Sequence, residues 1–176
     1  MSPYTLADGT LPHVTAAVKV LSHLLDKVEQ STSPSPEALL NRRIHETMLP
    51  LSFQLHFATD LVVKLVARLE GVEPEDLGSW DTLKTVADAR ARVDAAAARL
   101  ASADAAKIAS RCDEIITYGR GRNNPPGQMK ARDYVAGYSL PNIYFHVSTA
   151  YTILRKEGIE IGKMDYLTPF MAPYES

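Results

Sequence analysis

The five histidines of this chain are its best candidates for acid–base chemistry or metal binding, and one of them stands apart. His146 shares a helix face with Asn142 and Thr149, at about 100° of rotation per residue. The apolar members of the same face are Ile143, Ala150 and Ile153. We therefore expect the imidazole to point inward in polar company. It could be a hydrogen-bonded core group, a general acid or base, or a metal ligand.

The other four histidines are not spaced as a metal site. His45 and His56 share a face roughly 120–140° from the apolar stripe of their helix, which predicts an outward position or one facing a partner subunit. His13 and His23 are about 80° apart on an earlier helix. No His-x-x-x-His, His-Glu-x-x-His or Glu-x-x-His pair is present, and no Gly-x-Ser-x-Gly motif. The pattern predicts no bound metal and no cofactor.

Polar side chains near His146 predict a small-molecule pocket between the second and the last helix. Gln54 lies at the edge of the inward stripe of the second helix, and a buried glutamine needs hydrogen-bond partners. His146 would transfer protons as a general acid or base. The residues predicted to orient a polar substrate are Gln54, Thr47, Asn142, Thr149 and Tyr151.

Composition excludes several other classes of protein. The 176 residues suit a single domain spanning 1–176, and 45% hydrophobic with 23% charged residues is typical of a globular chain. A net charge of −2 offers no basic surface for nucleic acid. No apolar run reaches the roughly 20 residues that a membrane helix needs. A single cysteine, Cys112, and the lack of a signal pattern predict a cytoplasmic protein.

Four amphipathic segments predict an all-α fold, a four-helix bundle. They are Pro12–Gln30, Pro36–Leu69, Asp81–Ala103 and Leu140–Glu157. Pro50 lies within the second segment, so a kink or a restart is expected near Met48–Pro50. Ser139 is expected to cap the last helix.

The connections carry weaker signals. Two β-prone runs, Ile115–Tyr118 and Tyr134–Ala136, flank a centre rich in glycine, proline and asparagine. This pattern is compatible with a short hairpin or an ordered loop before the last helix. Pro169 and Pro173 argue against further helix in the tail, Ile159–Ser176.

The segment from Leu140 to Leu167 resembles the DinB/YfiT-like helical-bundle superfamily, and in particular an uncharacterised branch of it. The matching motifs are Leu140-Pro-Asn-Ile-Tyr-Phe-His146, Ala150-Tyr-Thr-Ile-Leu-Arg155 and Gly162-Lys-Met-Asp-Tyr-Leu167. The Met48–Leu51 segment and Gln54 fit the same branch. The resemblance implies a four-helix bundle that is often dimeric.

Metal-bearing members of that superfamily hold a divalent ion with three histidines, one on the second helix and a His-x-x-x-His pair on the last. Carried onto this chain, the pair falls on His146 and Ala150, and the second-helix position is most nearly Gln54. At most one of three ligands remains, and one imidazole does not hold such an ion alone. The resemblance therefore implies a site without metal.

Three functions remain open. The first is a metal-independent enzyme that uses His146 for isomerisation, elimination or cyclisation, and the second is a non-catalytic binder with the same pocket. The third is a structural or interaction protein that forms a homodimer through the second helix. The apolar residues of that helix that lie off its main stripe, and so favour the dimer, are Phe53, Phe57 and Val63. A divalent-metal enzyme is disfavoured by the missing ligands.

Overall fold

Helices make up most of the chain in a computed structural model, which describes residues 3–121 and 123–175. The α-helices are α1 (Leu11–Glu29), α2 (Pro36–Leu40), α3 (Leu51–Glu70), α4 (Val86–Ala101), α5 (Ala105–Ser110), α6 (Ala131–Tyr134), α7 (Leu140–Lys156) and α8 (Lys163–Met171). A 3₁₀ turn spans Trp80–Thr82, and a π-helical segment spans Val135–Ser139. The strands β1 (Ile115–Tyr118) and β2 (Gly127–Lys130) form an antiparallel hairpin.

The four long helices form the predicted bundle. Around the bundle the order is α1, α4, α3 and α7, and α7 closes the ring against α1. The predicted stripe of α1 is fully buried: Val14, Ala17, Val18, Leu21, Leu24, Leu25 and Val28. Amphipathic faces meeting in this way bury one shared core. No helix among the described residues is long and apolar enough to cross a membrane.

Helix α3 is enclosed on almost all sides, with 16 of its 20 residues buried. It contacts α7 and α4 along its length, and α2, α5 and the 3₁₀ turn at its ends. The predicted helix Pro36–Leu69 is not continuous, because the chain leaves α2 at Leu40 and restarts after Pro50. Proline removes a backbone donor and clashes one turn back, so it suits the start of α3 better than its interior.

The third helix begins later than predicted, at Val86. Thr85 caps it, and its hydroxyl accepts a hydrogen bond from the backbone N–H of Asp88. The carboxylate of Asp88 accepts the backbone N–H of Thr85 in return, at 2.8 Å. This reciprocal pair is a capping box, which stabilises a helix start. The residues before it, including Asp81, form the 3₁₀ turn instead.

The hairpin before the last helix is confirmed, but its second strand was predicted in the wrong place. Gly127 pairs with Tyr118, and a Cβ added to Gly127 would lie 2.7 Å from the Tyr118 ring. A side chain at position 127 would have to displace the Tyr118 ring, so glycine suits this position. The strand that pairs with Ile115–Tyr118 is Gly127–Lys130. Tyr134–Ala136 is helical, and α6, the π segment and α7 follow one another without a break. Ser139 therefore does not cap a helix start.

The tail contains a helix that Pro169 had argued against. The backbone N–H of Gly162 donates to Asp165 at 2.6 Å and starts α8, and the same carboxylate contacts His23 on α1. The rings of Tyr166 and Phe170 pack with Tyr151 and Tyr144 of α7. Tertiary packing of this kind offsets the single backbone bond that proline removes.

Glu70 joins the end of α3 to two other helices, and this junction is testable. Its carboxylate accepts the backbone N–H of Asp104 at 2.8 Å and is ion-paired with Arg99, and both side chains of the pair are largely buried. We expect Glu70→Ala to lower the free energy of unfolding by about 3 kcal/mol, since it leaves Arg99 without its partner. Urea denaturation measures this.

Glu114→Ala is the matched control. Glu114 is 56% exposed and lies 3.8 Å from Arg111, so its removal is expected to cost less than about 1 kcal/mol. Equal losses in the two variants would contradict the assigned role of Glu70.

Candidate functional site

His146 of α7 and Gln54 of α3 are hydrogen-bonded to each other inside the bundle. The imidazole Nδ1 lies 2.8 Å from the Gln54 Oε1 atom, and the side chain of His146 is only 7% exposed. The amide Nε2 of Gln54 donates to the carbonyl oxygen of Leu49 at 2.9 Å. Because Nε2 of the amide must donate, Oε1 is the atom that faces the imidazole. Nδ1 of His146 therefore carries the proton, and its Nε2 is left with a lone pair.

The free Nε2 of His146 is the reactive atom of this arrangement. No group among residues 3–121 and 123–175 hydrogen-bonds to this atom. It is also not fully buried, since the described polar atoms that are buried without a hydrogen bond do not include it. Burial lowers the pKa of His146 from 6.5 to about 4. Removal of water disfavours the charged imidazolium. At neutral pH the ring is uncharged and accepts a hydrogen bond or a proton at Nε2.

Aromatic rings surround the imidazole. The ring centroids of Phe57, Phe145 and Phe53 lie 4.9, 5.3 and 5.9 Å from that of His146. Trp80 packs edge-on against Phe53 at 5.9 Å, and we call these four rings the aromatic cluster. Phe145 is exposed, so the cluster reaches the protein surface beside His146. It supplies both the apolar surroundings that lower the pKa and a surface on which a flat molecule can stack.

The structure brings some of the predicted site residues to His146 and places others elsewhere. Thr149 is buried on the same face, but its hydroxyl donates to the carbonyl of Phe145 at 2.7 Å. Asn142 is half-buried, and no hydrogen bond joins it to the imidazole among the described residues. Thr47 is exposed in the segment before α3, beside His45 at 2.9 Å. Of the residues predicted to orient a substrate, only Gln54 hydrogen-bonds to the imidazole among the described residues.

Tyr151 belongs to a different cavity. With Tyr166, Lys163, Ser148 and Thr152 it lines a space of about 260 Å³ between α7 and α8. This cavity depends on α8, a helix that the prolines of the tail had argued against. Tyr151 therefore lines a cavity, but His146 is not part of its wall.

His56 was predicted to point outward or toward a partner subunit, and that prediction is wrong, because it packs within the bundle against α4. The side chain is buried, and Arg92 of α4 donates to its Nδ1 at 2.6 Å. Burial, followed by the charge of Arg92, lowers the pKa of His56 below its ordinary value. Because α3 is enclosed on nearly all sides, a position away from its main stripe still faces protein. The partner Arg92 could not be found from the sequence, since no local pattern sets the register between α3 and α4.

The side chains around His146 do not match the three-histidine metal site of the metal-bearing superfamily members. No three of the His, Cys, Asp and Glu side chains that the structure describes lie close enough to share an ion. The neighbours of His146 are an amide and aromatic rings, which are poor ligands for a divalent cation.

Comparison with known proteins places the chain in a family. The profile of a domain of unknown function, DUF1993, matches residues 6–167. The chain belongs to the DUF1993 family. The crystal structure of a DinB family member protein from Shewanella denitrificans superimposes with a TM-score of 0.77 at 30% sequence identity, covering 92% of this chain and 91% of that one. The fold is therefore DinB-like. A search of curated proteins gives no match.

The lowered pKa of His146 predicts how stability depends on pH in this DUF1993 protein. Between pH 6.5 and about 4 the unfolded chain binds a proton at this histidine and the folded chain does not. Stability therefore falls as the pH falls through this window, by about 3 kcal/mol at about 1.4 kcal/mol per pKa unit. Urea denaturation at pH 7.5 and pH 4.5 measures the loss.

His146→Gln removes the titrating group, so this variant is expected to lose about 3 kcal/mol less than the natural protein over the same range. The control is His45→Gln, at an exposed position, which is expected to keep the full dependence. Identical pH dependences in the natural protein and in His146→Gln would show that the imidazole is not held neutral.

Proposed function

We propose that the protein binds a small molecule beside His146, with Nε2 accepting a hydrogen bond from the ligand. The observation that carries this proposal is the 2.8 Å bond from Nδ1 to Gln54, which fixes the tautomer and leaves Nε2 unoccupied among the described residues. The aromatic cluster would pack against the apolar body of the ligand. Sites of this kind combine an apolar lining with a few well-placed polar groups.

Proton abstraction is the reaction that such a site would perform. With a pKa of about 4 the imidazole is already deprotonated at neutral pH, so it can take a proton without first giving one away. Base-initiated isomerisation, elimination or cyclisation fits this state, and needs no metal or other cofactor. An anionic substrate would raise the pKa of His146 by favouring the imidazolium, and would strengthen the base when bound.

A homodimer is a second candidate, although one of the three residues that favoured it is buried within the subunit. Val63, one of three residues that favoured it, is 1% exposed and already covered within the subunit. Phe53 and Phe57 are half-buried, while Phe145 and Leu49 are exposed beside them. A second copy covering the aromatic cluster would place His146 at an interface. Sedimentation of a monomer at micromolar concentration would rule out this arrangement.

We make two further proposals, on the branch of the superfamily and on the location of the protein. We place the chain in the DinB/YfiT-like branch marked by Leu140-Pro-Asn-Ile-Tyr-Phe-His146, and we propose a cytoplasmic location on the basis of its single cysteine.

Binding at Nε2 is tested with matched probes. Phenol and indole can stack on the aromatic cluster and donate to Nε2, whereas toluene stacks but has no donor. We expect phenol and indole to perturb the His146 imidazole signals in NMR titrations and to bind about tenfold more tightly than toluene, as one hydrogen bond of about 1 to 1.5 kcal/mol requires. Equal affinities for phenol and toluene would refute the role of Nε2.

His146→Phe keeps the apolar packing and removes the acceptor, so it should abolish the preference for phenol. Tyr151→Phe, which alters the separate cavity between α7 and α8, should leave that preference unchanged.

Catalysis is distinguished from binding by the fate of the ligand. Ligands from a thermal-shift screen are incubated with the protein and then analysed by mass spectrometry and NMR. Ligands altered by the natural protein and unaltered by His146→Phe support proton transfer. Ligands that bind at His146 and are always recovered unchanged support the non-catalytic alternative.

A further inference from the structure

A second cavity lies at the other end of α3, away from His146. Its volume is about 480 Å³, and it is an open cavity lined by the end of α3, the loop that follows it, Arg111 and β1. The polar residues in its wall are Arg68, Arg111, Glu73 and Thr117. Among the apolar ones, Val72 and Ile115 are large side chains left exposed. The combination of two guanidinium groups with exposed apolar side chains is unexplained by the packing of the bundle.

Arg111 has an enclosed donor with no acceptor. Its Nε is one of two buried side-chain nitrogen or oxygen atoms in the described residues that make no hydrogen bond. The carboxylate that pairs with it, that of Glu114, is 3.8 Å away and mostly exposed. A buried donor that stays unpaired costs about 1–3 kcal/mol. The side chain as a whole is 27% exposed, so the other guanidinium nitrogens are the ones that an anion in the cavity can reach.

Arg68 is also without a charged partner. Its Nη1 donates to the hydroxyl of Tyr134 at 2.8 Å, and its guanidinium lies 5.8 Å from the centre of that ring. Both contacts are with a neutral side chain. Within residues 3–121 and 123–175, no carboxylate lies within ion-pair distance of Arg68. The Tyr134 contacts hold the guanidinium in place and leave its charge uncompensated.

Two other arginines of similar exposure in this protein are paired with carboxylates. Arg90, 22% exposed, contacts Asp26 at 2.6 Å and Glu29 at 3.1 Å. Arg99, 20% exposed, is paired with Glu70. Arg111 is 27% exposed and has only the 3.8 Å contact. Arg92 is half-buried too, and it donates to the neutral His56 instead of to a carboxylate. What sets Arg68 and Arg111 apart is that both line one cavity, and two guanidinium groups meeting there point to an external anion.

The guanidinium of Arg111 lies against the backbone at the end of α3. Gly71 has a φ of +68°, and a Cβ added there would lie 2.5 Å from the Arg111 Nη2 atom. Glycine suits this position, because it adopts the left-handed backbone conformation and leaves room for the guanidinium.

We propose that this cavity binds the carboxylate of a small monoanion with an apolar body. Two arginines and Glu73 give the wall a formal charge that matches one negative charge better than a phosphate dianion. The guanidinium fork pairs geometrically with a carboxylate. Val72 and Ile115 offer the apolar contact, and the volume falls within the roughly 300–1,000 Å³ of small-molecule sites. This site is independent of the function proposed for His146.

NMR of the arginine Nε–H groups tests the proposal directly in the full chain. The probes are propanoate, hexanoate and benzoate, with methyl hexanoate as the neutral match and inorganic phosphate as the dianion. We expect hexanoate or benzoate to shift the Nε–H signals of Arg111 and Arg68, and methyl hexanoate to leave them unchanged. Absence of a shift with all three carboxylates at millimolar concentration would overturn the proposal, as would tighter binding of phosphate.

Variants separate this site from general charge effects. Arg111→Gln and Arg68→Gln are each expected to weaken carboxylate binding about tenfold or more, the loss of one charge-assisted hydrogen bond. Arg42→Gln removes an exposed arginine paired with Glu157 and should not change the affinity. An equal loss in Arg42→Gln would count against the cavity. His146→Gln should bind carboxylates normally, so failure here and failure at His146 are distinguishable.

Discussion

Burial of α3 on nearly every side is the constraint on which this structure depends. A helix in that position cannot leave a polar side chain unsatisfied, because each unpaired group would cost about 1–3 kcal/mol. Gln54 is therefore bonded to α7, His56 to α4 and Glu70 to both α4 and the start of α5. Asp60 is paired one turn on with Lys64. These bonds fix how the neighbouring helices lie against α3 more specifically than the apolar contacts can, since apolar packing tolerates rotation and sliding.

The same constraint gives the two ends of α3 different properties. Near its start, Gln54 holds His146 in one tautomer while the aromatic cluster removes water from the ring, so the site is neutral and accepts protons. Near its end, Arg68 lies 14 residues later, about 21 Å along the axis at 1.5 Å per residue. There the charges are not fully compensated, and the cavity with Arg111 is positive. One central helix thus supports a neutral acceptor site and a cationic site that do not share residues.

The parts predictable from the sequence are those governed by local periodicity. The apolar stripe of α1, the inward face of α7 with His146 and the break at Pro50 follow from helical spacing and from proline geometry. The environment of His56 was not predictable, because α3 is covered on nearly all sides and a position away from its apolar stripe still faces protein. The helix α8 was missed because Asp165 and the packing of Tyr166 outweigh Pro169, and such tertiary contacts leave no local signal. The second strand was misplaced because β propensity favoured Tyr134, whereas the segment that pairs with Ile115–Tyr118 is Gly127–Lys130, which contains no β-branched residue.

The identity of the group behind His146 decides what its imidazole can do. In many acid–base sites a carboxylate accepts a hydrogen bond from Nδ1–H of the histidine, and its negative charge favours the imidazolium and strengthens the base. Gln54 fixes the same tautomer but brings no charge, so no group in the described part of the chain opposes the effect of burial on the pKa of His146. An imidazole held in this way is a good hydrogen-bond acceptor and a weak base until a ligand changes its surroundings. Any strong proton transfer here must therefore draw its driving force from the substrate, through negative charge near Nε2 or through an acidic proton. This requirement restricts candidate substrates more sharply than the shape of the site does.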